Sequence, residues 1–212
     1  VQAAALPEVF ATAYLNLYME GALQTTEKAI VHAGASGVGT AAIQLLKQSG
    51  NPVFVTVGSD EKLRSCVELG ADTGSVRHQG SFAEAATAWA GEQGVDVILD
   101  PVGGLYLADN LHVLGLGGRL VLIGLMGGAV TEANLALLML KRARVIGSTL
   151  RARPIGEKAA VMDALQRNVW PDIERGAIRP IIEAEMPIQQ TQDAHALMAS
   201  NATVGKIVLT VA

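Results

Sequence analysis

The sequence predicts an α/β protein built on a doubly wound parallel sheet, and three observations support this fold class. Residues 28–58 read as a strand, a glycine-rich turn, a helix and a second strand. Short apolar runs typical of strands then alternate with helical patterns as far as residue 150. The chain has 212 residues, of which 50% are hydrophobic, so it is long and apolar enough to bury a full core.

Strands and helices are predicted to alternate strictly along this region. The strands are expected at 29–32, 53–57, 74–76, 95–99, 119–123 and 145–150. The helices are expected at 38–49, 61–69, 82–90, 105–114 and 133–140. Such alternation implies right-handed crossovers and a sheet covered on both faces. Because the glycine-rich turn follows the first strand, we expect the six-stranded order 3-2-1-4-5-6, with a ligand beyond the carboxyl ends of the strands.

The glycine-rich turn has the composition expected at a pyrophosphate site. Gly34 and Gly39 occupy the first and last positions of the common G-x-G-x-x-G pattern, while Ser36 replaces the middle glycine and Gly37 follows it. Small residues let a pyrophosphate approach the backbone, where amide N–H groups at the start of a helix hold it. The turn therefore predicts a bound dinucleotide, and the alternative is a tight strand-to-helix turn without a ligand.

The end of the second predicted strand distinguishes between the two nicotinamide cofactors. NAD-binding domains place an acidic residue there for the ribose hydroxyls, whereas a 2′-phosphate needs a small residue with cations nearby. Here Gly58 and Ser59 follow the strand, and Lys62 and Arg64 lie in the next helix, which favours NADPH. Asp60 comes two residues late and fits the first turn of a helix. An ordinary solvated helix face is the alternative reading of the two cations.

The later strands end in segments that are expected to line the same crevice. Strand four is followed by residues 100–104, strand five by 124–128 and strand six by 149–151. Glycine pairs at 103–104 and 127–128 suggest backbone that passes close to a flat ring or a phosphate. The alternative is that these glycines only make short turns into the next helix.

Composition excludes several classes of function. The net charge is −4 and no basic run is present, so a nucleic-acid partner is not expected. The most apolar runs, near 120–130 and 135–140, are too short for a membrane span. Cys66 is the only cysteine, which excludes an internal disulfide and a multi-cysteine metal site. No signal peptide is visible and the first residue is Val1, so we expect a cytoplasmic protein with further sequence before this residue.

After residue 153 the pattern changes to short helices and one closing strand. The helices are expected at 157–166, 170–176 and 191–199, and the strand at 206–211. The link at 201–205 is short and the helix before it is small. The tail is therefore not expected to form a seventh βαβ unit.

Five segments, spread over essentially the whole chain, carry a family resemblance. They are HAGASGVGTAAIQL at 32–45, LGAD at 69–72, VDVILDPVGG at 95–104, GGRLVLIGLMGG at 117–128 and DAHALMASNATVGKIVLTV at 193–211. Together they resemble the zinc-independent quinone oxidoreductases of the medium-chain dehydrogenase/reductase superfamily, the relatives of zeta-crystallin. Within that family, GLMGG at 124–128 and LRARP at 150–154 look most like the p53-induced type.

The resemblance implies an NADPH-dependent enzyme that transfers hydride to a small-molecule substrate, either a quinone or another activated, enone-like double bond. Members of the family begin with a β-rich, GroES-like catalytic domain, and their C-terminal helix and strand return to it. Residues 1–185 would then form the Rossmann dinucleotide-binding domain, and residues 186–212 the returning segment of the catalytic domain. No catalytic residue is assigned. Two alternatives stay open: an enoyl or alkenal reductase of the same superfamily, and a non-catalytic nucleotide-binding module.

The resemblance also implies the residues that bind the cofactor. Those around the pyrophosphate, the adenosine ribose and its 2′-phosphate are Ser36, Gly37, Val38, Gly58, Ser59, Lys62 and Arg77, the last in place of a tyrosine of the family. Val102 and Gly103 would border the adenosine and ribose. Those toward the nicotinamide are Gly124, Leu125, Met126, Leu150, Arg151 and Thr12. The first three amides would face the pyrophosphate, and the Thr12 hydroxyl would face the nicotinamide side.

Zinc-containing relatives take one metal ligand from near the position of Glu8. A lone carboxylate does not make a site. His32, His78, His112 and His195 lie on different predicted elements and give no ligand spacing, and His32 is interpreted as a strand-end residue. No metal is therefore expected.

The sixth predicted strand, 145–150, is expected at one edge of the sheet. Its apolar residues Val145, Ile146 and Leu150 leave that edge poorly protected against pairing. Enzymes of the resembling family pair two such edges antiparallel about a two-fold axis. A homodimer through this strand is therefore expected.

Overall fold

The computed structural model describes residues 1–211 and confirms the doubly wound α/β fold. The strands of the main sheet are β1 (Ala29–Val31), β2 (Val53–Val57), β3 (Thr73–Val76), β4 (Val95–Asp100), β5 (Leu114–Leu122) and β6 (Arg144–Gly147). All six run parallel, in the order β3-β2-β1-β4-β5-β6. The order reverses between β1 and β4, where such sheets bind their ligands.

Helices connect the strands and flank them on both faces. They are α1 (Gln2–Ala5), α2 (Pro7–Tyr14), α3 (Gly37–Gln48), α4 (Asp60–Leu69), α5 (Phe82–Ala90), α6 (Leu107–Val113), α7 (Leu135–Lys141), α8 (Ile155–Asn168) and α9 (Trp170–Glu174). A π-helical turn, Leu15–Glu20, continues α2. The Ser36 and Ser59 side chains accept backbone amides at the starts of α3 and α4. Caps of this kind stabilise a helix by about 1 kcal/mol each.

Successive strand residues pack on opposite faces of the sheet. Ile30, Phe54 and Ile98 lie in a buried cluster with α5 and α6. Their neighbours Val31 and Val55 lie in a second cluster with α2, α3 and α8. Burying each such side chain stabilises the fold by about 1.5–3 kcal/mol. These two clusters hold the strand ends, and therefore the loops that follow them, in fixed positions.

Two strand boundaries differ from those predicted by more than one residue. β5 begins at Leu114, five residues before the predicted start, and includes the glycines of the LGLGG segment. Glycine has low strand propensity, which hid this part of the strand. Gly115 is required there, because a Cβ atom would collide with the Gln93 carbonyl oxygen. β6 ends at Gly147 instead of residue 150, and beyond it the Arg153 Nε donates to the Thr149 carbonyl at 3.0 Å.

The tail forms a small sheet of its own. β7 (Ile182–Pro187) and β8 (Lys206–Thr210) pair in parallel, and α10 (Thr191–Ala199) connects them. The tail therefore does not add a seventh unit to the six-stranded sheet, as expected, but β7, α10 and β8 form a separate parallel βαβ unit that was not expected. The 9-residue helix is about 13 Å long and the 5-residue strand β8 about 16 Å, so a short link is enough.

None of the helices within residues 1–211 has the length and apolarity that a membrane span requires.

Candidate dinucleotide-binding site

The carboxyl ends of β1, β2 and β4 lie side by side at one edge of the main sheet. The glycine-rich turn follows β1, Gly58 follows β2, and the loop containing Val102 and Gly103 follows β4. The structure therefore brings the predicted pyrophosphate, ribose and adenosine segments to one crevice.

The glycine-rich turn is closed by short backbone contacts. The Gly34 amide donates to the Thr56 carbonyl at 3.0 Å, and the Gly39 amide donates to Ser36 Oγ at 3.0 Å. A Cβ atom on Gly39 would collide with the Gly34 carbonyl oxygen, so tight packing of the turn itself requires this glycine. At the start of α3, the amides of Gly37 and Val38 have no acceptor within the helix. These two amides are the donors available to an anion.

The space over Gly37 is bordered by the tail. A Cβ atom on Gly37 would lie 2.5 Å from Lys206 Cδ and 3.1 Å from Val9 Cγ1. The Gly205 amide donates to the Ala35 carbonyl at 2.8 Å, which fixes the start of β8 against the turn. Lys206 thus adds a cation beside the α3 N-terminus, and the sequence analysis missed it. The only local sequence signal for this placement is that Lys206 directly follows Gly205.

Two cations surround Gly58 at the end of β2. A Cβ atom on Gly58 would lie 3.9 Å from an Arg77 guanidinium nitrogen, so the side of Gly58 is open and faces this cation. Lys62 Nζ donates to the Asn201 carbonyl at 2.6 Å, and Arg77 Nε donates to His78 Nε2 at 3.0 Å. Burial, and after it the positive charge of Arg77, lowers the pKa of Lys62. Arg77 therefore borders the open side of Gly58, and Lys62 lies near enough to Arg77 to be affected by its charge.

Asp60, Lys62 and Arg64, the residues that bear on the choice between NAD, NADPH and an ordinary helix face, have different partners. The Asp60 carboxylate accepts a hydrogen bond from Gln79 Nε2 at 3.0 Å. Arg64 is exposed and lines a shallow groove on α4 together with Asp60 and Glu68. Ser59 is the N-cap of α4, where its Oγ accepts the Lys62 amide at 3.3 Å. Lys62, unlike Arg64, is directed toward the tail and Arg77.

The two predicted glycine pairs pack against each other. The Gly127 amide donates to the Val102 carbonyl at 2.7 Å, and the Gly104 amide donates to the Gly128 carbonyl at 2.9 Å. A Cβ atom on Gly104 would lie 2.9 Å from that same oxygen. The close approach of two loops therefore explains these glycines without a ligand. The paired loops present Val102 and Gly103 beside the end of β5.

The remaining predicted residues line the outer part of this edge. Leu125 and Met126 are 55% and 73% exposed, which leaves an apolar surface after β5. Leu150 packs against the main core, whereas Arg151 is exposed. The Thr12 hydroxyl donates to Glu8 Oε1 at 3.3 Å.

A chain of buried polar side chains lies below the crevice. His32 Nδ1 lies 2.9 Å from Thr56 Oγ1, and His32 Nε2 lies 2.7 Å from Asn110 Oδ1. The Asn110 amide donates to Asp100 Oδ2 at 2.9 Å. Burial lowers the pKa of His32 to about 4, although the bond to Asn110 opposes this shift. Burial raises the pKa of Asp100, against the hydrogen bonds from Val102, Gly103 and Asn110.

Cys66 is a packing residue of α4. It is fully buried, and burial raises the pKa of its thiol to about 12. A thiol in this environment is protonated at neutral pH and is a poor nucleophile.

The fold and the crevice define a doubly wound domain of the dehydrogenase class. Residues 37–167 match the family described as zinc-binding dehydrogenase, which is more than half of the chain. The chain belongs to the zinc-binding dehydrogenase family.

Individual proteins agree with this assignment. The quinone oxidoreductase of Rattus norvegicus is 29% identical over 209 residues, which cover 98% of this chain and 62% of that protein. The lovastatin diketide synthase lovF of Aspergillus terreus is 33% identical over 218 residues, which cover 99% of this chain and 9% of the synthase. The chain thus spans about three fifths of the quinone oxidoreductase.

A solved structure shows the same architecture. Quinone oxidoreductase of Escherichia coli, complexed with NADPH, superposes with a TM-score of 0.88 and is 29% identical. The superposition covers 99% of this chain and 65% of that enzyme. An NAD-dependent alcohol dehydrogenase superposes with a TM-score of 0.85 at 27% identity, covering 100% of this chain and 59% of that one.

The described residues do not fit a zinc site, although the family description includes zinc. Glu8 accepts the Thr12 hydroxyl, and its second oxygen lies 3.8 Å from Lys206 Nζ. Within residues 1–211, no three His, Cys, Asp or Glu side chains are grouped as a metal ion requires. No step below is assigned to a metal.

Proposed function

We propose that this chain is the NADPH-binding part of an oxidoreductase that transfers hydride to a quinone or another activated double bond. One observation carries the proposal: the free amides at the start of α3 and the cations around Gly58 lie at adjoining strand ends. A dinucleotide with a 2′-phosphate has anionic groups at both places. The NADPH complex of the Escherichia coli relative supports the same choice.

The cofactor site is assigned as follows. The amides of Gly37 and Val38 bind the pyrophosphate, with the Lys206 ammonium as a further cation. Lys62 and Arg77 bind the 2′-phosphate beside Gly58, where an acidic residue would repel it. Val102 and Gly103 border the adenosine and ribose. The nicotinamide lies beside Gly124, Leu125 and Met126, and Leu150, Arg151 and Thr12 complete the pocket.

The bound NADPH supplies the hydride, and the protein residues bind and orient it. The exposed apolar side chains of Leu125 and Met126 exclude water from one face of the ring. No proton donor is assigned among the residues of this crevice. The substrate is proposed to lie between this domain and a GroES-like domain outside the chain.

An enoyl reductase is the second candidate function. It is favoured by the 33% identity with lovastatin diketide synthase, whose matching part spans almost the whole chain. Oxidation of NADPH by the longer protein separates the two functions. We expect turnover with 1,2- and 1,4-quinones and little with an enoyl thioester, whereas the reverse preference would establish the enoyl reductase. Oxidation with neither substrate would favour a non-catalytic nucleotide-binding module.

We also propose that the chain forms a homodimer through β6. This strand lies at the edge of the sheet, and Val145 is 41% exposed. The neighbouring helix α7 exposes Leu135, Met139 and Leu140 by 65–78%. An unpaired strand edge next to an apolar helix is suited to a second copy of the same surface.

A further inference from the structure

The buried chain formed by Thr56, His32, Asn110 and Asp100 has a single hydrogen-bond direction. Each of these side chains belongs to a residue that is at most 3% exposed. The Asp100 carboxylate is fixed as an acceptor, because the amides of Val102 and Gly103 donate to it at 2.5 and 3.1 Å. Asn110 therefore donates its NH₂ group to Asp100 and keeps its oxygen for His32.

This direction fixes the tautomer of His32. Its Nε2 must carry the proton, because it faces the Asn110 oxygen at 2.7 Å. Its Nδ1 then accepts from the Thr56 hydroxyl at 2.9 Å. Every donor in the chain thus points toward Asp100, and each polar atom between Thr56 and Asp100 has a partner.

The same residues connect three loops of the crevice. The carbonyl of Thr56 accepts the amide of Gly34, the first glycine of the turn, at 3.0 Å. Thr56 also lies two residues before Gly58 on β2. Asp100 holds the amides of Val102 and Gly103. The surrounding strand residues are Val, Ile and Leu, so a polar chain here costs desolvation free energy that an apolar core would avoid.

We propose that His32, Asn110 and Asp100 are positioning residues that hold these three loops at the spacing a bound dinucleotide requires. The inference rests on the proposed function, because it assumes that NADPH binds in this crevice. These hydrogen-bonded side chains act through the backbone of Gly34, Val102 and Gly103 and do not themselves touch the cofactor.

A matched pair of alanine variants tests the proposal. Asn110→Ala removes the central link, and Asn51→Ala removes an equally buried amide that precedes β2 at the opposite edge of the sheet. We expect Asn110→Ala to raise the Kd for NADPH at least tenfold and Asn51→Ala to change it less than threefold. Circular dichroism and thermal melting must show that both variants are folded at the temperature of the titration.

Thr56→Val provides a milder variant if Asn110→Ala does not fold. It keeps the side-chain shape and removes only the donor to His32 Nδ1, and we expect Kd to rise at least threefold. An unchanged Kd in folded Asn110→Ala or in Thr56→Val, or an equal rise in Asn51→Ala, overturns the positioning role. If the wild-type chain does not bind NADPH, the proposed function fails instead, and the inference fails with it.

The Asp100→Asn variant tests the direction of the chain independently of binding. Its NH₂ group would face Asn110, so Asn110 must turn over, and His32 must move its proton from Nε2 to Nδ1 to donate to Thr56. Each hydrogen bond between Thr56 and residue 100 is kept with its direction reversed. Nitrogen-15 NMR of the imidazole should show the Nε2–H tautomer in the wild type and the Nδ1–H tautomer in Asp100→Asn. The same tautomer in both proteins would overturn the directional chain.

Discussion

At the scale of single residues, we propose that Lys62 and Arg77 determine a preference for NADPH over NADH. Arg77 borders the open side of Gly58, and its positive charge, after burial, lowers the pKa of Lys62. We expect the ratio of the Kd for NADH to the Kd for NADPH to fall at least tenfold, about 1.4 kcal/mol, in the Lys62→Ala, Arg77→Ala double variant. Calorimetric titration with each cofactor measures this ratio.

Arg64→Ala is the matched control for that variant. Arg64 lies on the same helix as Lys62 but lines a groove on the outer face of α4. Removal of the Arg64 side chain should leave the ratio of the two Kd values, for NADH and for NADPH, unchanged. A ratio that persists in the double variant, or one that falls equally in the control, would assign the preference to other residues.

Gly37 tests whether nucleotide binds over the start of α3. We expect Gly37→Val to weaken NADPH binding at least tenfold, because the branched side chain fills the space before the free amides and displaces the stem of Lys206. Lys206→Ala separates these two effects, since it removes the cation and leaves the space open. Binding by folded Gly37→Val that equals the wild type would show that the turn is purely structural.

His32 gives the protein a defined dependence of stability on pH. Its pKa is about 4 in the folded state and 6.5 as a free residue, so the unfolded state takes up the proton first as the pH falls. The contribution of neutral His32 is complete above about pH 6.5 and is lost between there and pH 4, by about 3 kcal/mol in total. Urea unfolding of the wild type and of His32→Asn between pH 6.5 and pH 4 measures this contribution. If the free energies of unfolding of the two proteins change equally with pH, the assignment to His32 is wrong.

The position of a residue in the fold was predictable from the sequence where that position depends on neighbouring residues. The glycine-rich turn and Gly58 belong to one strand-helix-strand unit, and Lys62 lies in the helix that follows it. Lys206 and Asn110 were missed because their partners are far away in sequence. The position of Lys206 depends on how β8 returns to the turn, which no local pattern specifies.

At the scale of elements, the apolar strands of the sheet centre were the most predictable. β2 and α5 have the predicted boundaries because Val, Phe and Ala fill them between clear turn residues. β5 was placed too late because its first residues are rich in glycine. The closing strand at 206–211 was predicted, but its parallel pairing with β7 was not, because the short link at 201–205 argued against a crossover.

The β6 edge carries the prediction of a dimer. The Ser148 amide donates to the Leu122 carbonyl at 2.9 Å, so alternation along a parallel strand turns the amides of Val145 and Gly147 outward. We expect Val145→Pro to remove an intersubunit donor and shift the dimer toward monomer at least tenfold in Kd. Sedimentation equilibrium measures the shift.

Val145→Thr is the control for the edge variant, because it keeps the backbone donor and the branched shape. Circular dichroism should show that both variants are folded. A wild-type chain that is monomeric throughout the micromolar range, or a dimer that survives the proline, would exclude this interface.

At the scale of the whole molecule, the cofactor crevice is cationic in a chain whose net charge is −4. The tail contributes to that crevice through Lys206 and through the Asn201 carbonyl that holds Lys62. The tail was proposed to belong to a second domain, and these contacts show that it also packs on the first. We therefore expect dinucleotide binding to depend on the tail as well as on the glycine-rich turn.

Calorimetric titration of the wild-type chain with NADPH and with NADH tests the central claim most directly. We expect saturable binding of one NADPH per chain, with a Kd at least tenfold lower than for NADH. Salt should weaken the preference, because the cations around Gly58 are partly exposed. Equal affinity for the two cofactors, or no binding of either, would contradict it.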